Sequence, residues 1–125
     1  MSYKILSVED STTMQRLLTS IFSQPFVVHG EKNGQTALDW IKNGNEVDLI
    51  ITDLNMPTMG GYELLTILKT DEKYRDIPIV VLSSNKESSE KIKLLKSGAD
   101  DYVEKPFSPE ELYWRVTNIL KRMKK

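Results

Sequence analysis

The sequence contains no cysteine, which excludes disulfide staples, thiolate metal sites and cysteine nucleophiles. Histidine occurs once, at His29; a phosphocarrier role would need partner groups around it, so a surface position at the end of an edge strand is the expectation. No apolar run is long enough to span a bilayer, and the N-terminus lacks the cationic, apolar, small-residue order of a leader. No membrane association and a cytoplasmic location are therefore expected. Charge of one sign is also missing. The formal net charge is −1 with acids and bases interspersed, so no global field favours nucleic acid or an anionic membrane, and any anion must be bound locally. What remains is chemistry by oxygen and amine groups. With 39% hydrophobic and 28% charged residues in 125, one core closes and a single domain over residues 1–125 is expected.

Five short apolar, β-branched runs alternate with five segments of helical period, about 25 residues apart, a rhythm that implies βαβ units and a parallel sheet. The predicted strands are Lys4 to Val8, Phe26 to His29, Asp48 to Thr52, Ile77 to Leu82 and Asp101 to Glu104. Leu49-Ile50-Ile51 and Ile79-Val80-Val81-Leu82 do not alternate with polar residues, as befits central strands covered on both faces. The first helix carries Met14, Leu17, Leu18, Ile21 and Phe22 on one stripe, with Asp10, Ser11 and Thr12 offering its cap. The second runs from about Asn33 to Lys42 with Ala37, Leu38 and Ile41 inward, and Gly44 ends it. The third follows Gly60-Gly61 with Leu64, Leu65 and Leu68. The fourth is expected to use Ile92 and Leu95 and to stop at Gly98. The fifth opens on Ser108-Pro109-Glu110-Glu111, a serine cap with proline in the first turn and a glutamate three residues on. The terminal run Lys121 to Lys125 supplies cations that suit a helix C-terminus.

In an open α/β sheet, ligands sit beyond the carboxyl ends of the strands. Here those ends are polar: Glu9 and Asp10 after the first strand, Asp53 after the third, Ser83 after the fourth and Lys105 after the fifth. With right-handed crossovers and strand order 2-1-3-4-5, all five would meet in one crevice. Three neighbouring carboxylates repel unless a cation lies between them. A hard divalent ion such as Mg²⁺ suits that role, because it takes a few oxygen ligands and completes its shell with water and phosphate. Lys105 can neutralise a carboxylate and then a phosphoryl oxygen.

Glu9-Asp10-Ser11, Asp53-Leu54-Asn55-Met56-Pro57 with Gly60-Gly61, Ser83, and Gly98 through Lys105-Pro106-Phe107 together resemble the motifs of the response-regulator receiver family of two-component signal transduction, over essentially the whole chain. The resemblance implies an α/β, flavodoxin-like, doubly wound five-stranded parallel sheet with five helices. It implies that Asp53 accepts a phosphoryl group from a sensor histidine kinase, a phosphotransfer protein or a small phosphodonor. Asp10, Asp53 and the Asn55 carbonyl would ligate Mg²⁺, with Glu9 acting through water, or directly since it is one methylene longer than aspartate. Ser83 would turn to the new phosphoryl oxygen, Lys105 would pair with it, and Tyr102 would move inward. The Lys105-Pro106 bond would be cis. Asn55 and Asn85 flank the expected path of a hydrolytic water and would set the lifetime of the phosphorylated state. The implied output is a switched surface of helix 4, strand 5 and helix 5 that binds a downstream protein or domain, with no enzymatic turnover beyond self-phosphorylation and autodephosphorylation. A stand-alone receiver is expected over the first domain of a longer regulator.

Each of these residues also has a plainer reading. Asp10 could be a helix cap, Asp53 a turn former, Ser83 a satisfied hydroxyl and Lys105 a solvated charge; taken together these would require independent accidents at neighbouring strand ends. Trp40 reads as packing beside helix 2. Trp114 lies opposite Leu112, Val116, Ile119 and Met123 on helix 5 and faces solvent or a partner. Lys91, Asp101, Glu111 and Arg115 read first as a solvated mixed-charge face, with a phosphorylation-dependent symmetric homodimer as the alternative. Two rivals fit less well. A haloacid-dehalogenase-type phosphatase would carry aspartate where Asn55 stands. A flavin carrier of the same strand order would need a hydroxyl- or glycine-rich loop after the first strand, where two acids stand instead.

Overall fold

The computed structural model describes residues 2–123; Met1, Lys124 and Lys125 lie outside the described residues, and with them the end of the terminal cationic run. Five parallel strands, β1 (Lys4–Val8), β2 (Val27–Glu31), β3 (Leu49–Asp53), β4 (Ile79–Ser83) and β5 (Asp101–Glu104), form one sheet in the order β2-β1-β3-β4-β5. Five helices connect them: α1 (Thr12–Phe22), α2 (Gly34–Lys42), α3 (Gly61–Lys69), α4 (Ser88–Lys96) and α5 (Pro109–Met123). This is the doubly wound flavodoxin-like architecture, and the expected order is observed.

The apolar runs of the central strands divide residue by residue between two cores, because successive side chains leave opposite faces of a strand. Ile50, Ile79 and Val81 enter the core beneath α2, α3 and α4 with Ala37, Ile41, Leu64 and Leu68. Leu49, Ile51, Val80 and Leu82 enter the core beneath α1 and α5 with Leu18, Phe22, Leu112, Val116 and Leu120. Strand β2 lies at the edge. There His29 stacks on Trp40 with ring centroids 4.1 Å apart and turns its Nε2 to Glu31 Oε2 at 2.6 Å, so Trp40 packs as expected and His29 keeps a partly exposed edge position.

Three strands, β2, β3 and β4, shift toward the C-terminus at both ends relative to expectation, and pairing and proline account for the main changes. β2 runs two residues past His29 because Gly30 and Glu31 continue the ladder opposite Ser7 and Val8. β3 reaches Asp53, which pairs with Leu82 of β4. β4 starts at Ile79 rather than Ile77; Pro78 has no amide to give, and its carbonyl accepts the Ile50 N–H at 2.9 Å.

Helix starts follow the local signals. Ser11 Oγ accepts the Met14 N–H, and Asn33 and Thr36 cap α2 reciprocally. Ser108 Oγ accepts the Glu111 N–H at 3.2 Å. The expectation for α4 needs correction. Ile92 and Leu95 are both exposed, and Leu94 is the buried residue. Ile92 and Leu95 share a face at i, i+3, whereas Leu94 points elsewhere at about 100° per residue; with three apolar residues in four positions, the helix settles on the sheet through the one between. Lys93 is held over the Tyr62 ring of α3, 4.1 Å from its centroid. Among the described residues no helix is long and apolar enough to cross a membrane.

Candidate functional site

The carboxyl ends of β1, β3 and β5 bring four of the expected side chains together. Glu9, Asp10 and Asp53 each present a carboxylate oxygen within 4.8 Å of the others. Lys105 Nζ lies 3.1 Å from Asp53 Oδ1 and 3.3 Å from Glu9 Oε1. Glu9 is buried, Asp53 and Lys105 are mostly buried, and Asp10 is exposed, so the cluster opens to solvent on the Asp10 side.

The backbone fixes these positions. The Leu54 N–H reaches Leu82 O and the Lys105 N–H reaches Ser83 O, which extends the β3–β4–β5 pairing past the last strand residues. Asp53 Oδ1 also accepts the Leu54 N–H at 2.9 Å. The following loop turns back at once: the Gly61 N–H meets Leu54 O at 2.8 Å, and Glu63 reaches back to the Gly60 N–H. A Cβ at Gly61 would stand 2.3 Å from the Asp53 carbonyl oxygen, so only glycine fits where α3 starts against the end of β3.

Charge in this enclosure is unevenly matched. Burial raises the Glu9 carboxyl above its ordinary value of 4.5; the Ser11 N–H pulls it down, the Asp53 charge pushes it up and Lys105 pulls it down again. One ammonium among three carboxylates leaves net negative charge in a partly desolvated site. The donors are all oxygens and the cluster is open on one side, which fits a hard divalent cation such as Mg²⁺ and gives a thiophilic metal no soft ligand. Both Glu9 oxygens are already engaged, one by the Ser11 N–H at 3.1 Å and one by Lys105.

Ser83 and Tyr102 form a second group joined by one residue. Ser83 is buried and its Oγ accepts the Asn85 N–H at 3.0 Å, while the Tyr102 hydroxyl donates to the Asn85 carbonyl. The Tyr102 ring is already inward, 5% exposed. The Lys105–Pro106 peptide is cis. Asn55 is exposed in the β3–α3 loop, lining a cleft with Met56, Pro57 and Glu63. Arg115 pairs within the chain, at 3.0 Å to Asp101 and 2.8 Å to Glu111.

Sequence reasoning missed Gln15. Its amide reaches the ends of both β1 and β2, with Nε2 3.1 Å from Glu9 O and 2.8 Å from Glu31 O. The signal was present: Gln15, Leu18 and Phe22 fall at i, i+3, i+7, so a polar residue occupies the buried register of α1.

The chain matches the model of the response regulator receiver domain over residues 5–117. It is 39% identical over 121 residues to hybrid signal transduction histidine kinase D of Dictyostelium discoideum, covering 93% of this chain but 7% of that protein. It is 34% identical to a chemotaxis protein CheY homolog of Campylobacter jejuni, covering 94% of this chain and 92% of that one. Among solved structures it is similar to the signal receiver domain of a signal transduction histidine kinase from Syntrophus aciditrophicus, with a TM-score of 0.91, 32% identity, and coverage of 99% and 94% of the two chains.

Proposed function

The chain belongs to the response-regulator receiver family of two-component signalling, and from that premise we propose that Asp53 is its phosphoacceptor. The observation that carries this reading is the Lys105 ammonium, held between Asp53 and Glu9 within a cluster of three carboxylates. An Asp53 carboxylate oxygen forms the new P–O bond as the P–N bond of a phosphohistidine, or the P–O bond of a small acyl phosphate, breaks and its electron pair leaves with the donor. Such a transfer asks the protein for positioning and charge neutralisation. Asp10, Asp53 and the Asn55 carbonyl would hold Mg²⁺ directly and Glu9 through water, and the ion would supply positive charge to the phosphoryl oxygens. The engagement of both Glu9 oxygens supports the indirect role. Lys105, already 3.1 Å from Asp53, follows the charge from carboxylate to phosphoryl oxygen.

The product carries a near-dianionic group beside Ser83. Turning the Ser83 hydroxyl toward it gives up the Asn85 N–H, and Asn85 is also the residue whose carbonyl Tyr102 holds. A change at the phosphoryl group therefore reaches the β4–α4 loop and β5 through one residue, Asn85. The output surface is that of α4, β5 and α5, where Ile92 and Leu95 stand exposed; the donor is a sensor histidine kinase or phosphotransfer protein, and the output partner is a downstream protein or domain. Asn55 and Asn85 tune how long the phosphoryl group survives; Asn85→Asp should change the autodephosphorylation rate. The chain acts as a cytoplasmic signal carrier rather than a turnover enzyme.

The test is intact mass after incubation with Mg²⁺ and acetyl phosphate. Wild type should gain about 80 Da, the mass of a phosphoryl group, and Asp53→Ala should gain nothing. Equal adducts on both proteins, or no adduct on wild type, would overturn the assignment.

A further inference from the structure

We infer that Gln15 is a positioning residue for the acidic site, acting through the Glu9–Asp10 peptide; this rests on the phosphoacceptor reading above. The β1–β2 ladder ends at Val8 and Glu31, and beyond it the chain must still deliver two carboxylates, Glu9 and Asp10, to one cation site. The Gln15 amide spans that gap. Its Oε1 accepts the Ser7 hydroxyl at 2.8 Å, and its Nε2 faces three carbonyls, Ser7 and Glu9 at 3.1 Å and Glu31 at 2.8 Å. Glu31 O also receives the Glu9 N–H at 3.0 Å. Both peptide groups flanking Glu9 are thereby tied, directly or through Glu31, to one side chain of α1.

Two neighbours make room for this arrangement. Ser7 is fully buried and gives its hydroxyl to Gln15. At Gly30 a Cβ would stand 2.8 Å from Gln15 Oε1, so the glycine in this edge strand leaves the volume that the amide fills. The sheet itself does not require Gln15, since the β1–β2 ladder is complete without it. What the amide adds is the orientation of the Glu9 carbonyl, hence of the peptide plane between two of the three acids. Groups that orient ligands without touching the metal typically contribute about 10- to 100-fold to its affinity.

The discriminating variant is Gln15→Met, which keeps length and volume and removes all four hydrogen bonds. Mn²⁺ serves as the probe, read by electron paramagnetic resonance, with urea midpoints measured on the same samples. The expected result is Mn²⁺ binding weakened about tenfold and, in the metal-free protein, faster amide exchange at Asp10 and Ser11. Leu120→Ala, a core change on α5, should lower the urea midpoint and leave both readouts as in wild type. If Gln15→Met does not fold, Gln15→Asn, which keeps the amide but shortens its reach, carries the same expectation. Unchanged affinity and exchange in the folded variant, beside a wild type that binds Mn²⁺ and takes the phosphoryl group, would overturn the role of Gln15 alone. A wild type that does neither would overturn the phosphoacceptor reading and this inference with it.

Discussion

Glu9 carries the tension in the site. A carboxyl raised by burial holds its proton in the folded chain at pH values where the unfolded chain has released it. The folded state then binds more protons, so this group's contribution favours folding below the ordinary carboxyl range and is lost as pH rises through the folded value. Glu9→Gln should therefore stabilise the metal-free protein, with an advantage over wild type that grows as pH rises above the ordinary carboxyl value. Urea midpoints in chelator measure it. Added Mg²⁺ should shrink that advantage, because the cation stabilises the ionised carboxylate only in wild type. An advantage independent of pH would refute the argument. Lys105 shows how far sequence reaches at this scale. Its place after the fifth strand was legible, because parallel strands put their ends together; that it bridges Glu9 and Asp53 depends on side-chain angles that only coordinates supply. Gln15 was missed because one polar residue among apolar ones looks like noise until its three carbonyl partners are seen.

At the scale of elements, α4 differs from its neighbours. α1, α2, α3 and α5 each bury two or more side chains, whereas α4 buries Leu94 alone. Leu94→Ala should cost about 2–5 kcal/mol, the usual range for truncating a buried leucine, while Leu95→Ser should stay within about 0.5 kcal/mol. Chemical denaturation of both variants decides this, and equal losses would restore the stripe expected from sequence. The strands were legible because short length and apolar, β-branched composition agree over β1, β3 and β4. The ends of β2, β3 and β4 were not, because a ladder stops where its partner stops: the expected second strand ended at His29, yet β1 draws Gly30 and Glu31 into the sheet. The α4 face failed for a related reason. Ile92, Leu94 and Leu95 allow more than one stripe, and helical period does not choose between them.

Across the whole molecule, the mixed-charge face of β5 and α5 is internally paired, with Arg115 bonded to both Asp101 and Glu111. Exposed pairs of this kind contribute up to about 1 kcal/mol, little enough to be exchanged for the same partners on a second copy. The unphosphorylated protein should sediment as a monomer. Any dimer formed with a phosphoryl mimic such as beryllofluoride should be lost in Arg115→Ala, and a monomer at all concentrations with the mimic bound would remove the dimer from the reading. Fold order and site were legible together for one reason: topology converts sequence distance into strand-end adjacency, so polar residues that punctuate apolar runs become neighbours.

At Gly61 a single hydrogen atom separates the first turn of α3 from the carbonyl of Asp53. That joint behaves as a weld, and α4, pinned by one leucine and a lysine resting on Tyr62, is the slack end of the frame. If Asp53 takes the phosphoryl group as proposed, force introduced at the weld moves what is free to yield, and the message should leave by the loosely fastened side of the sheet.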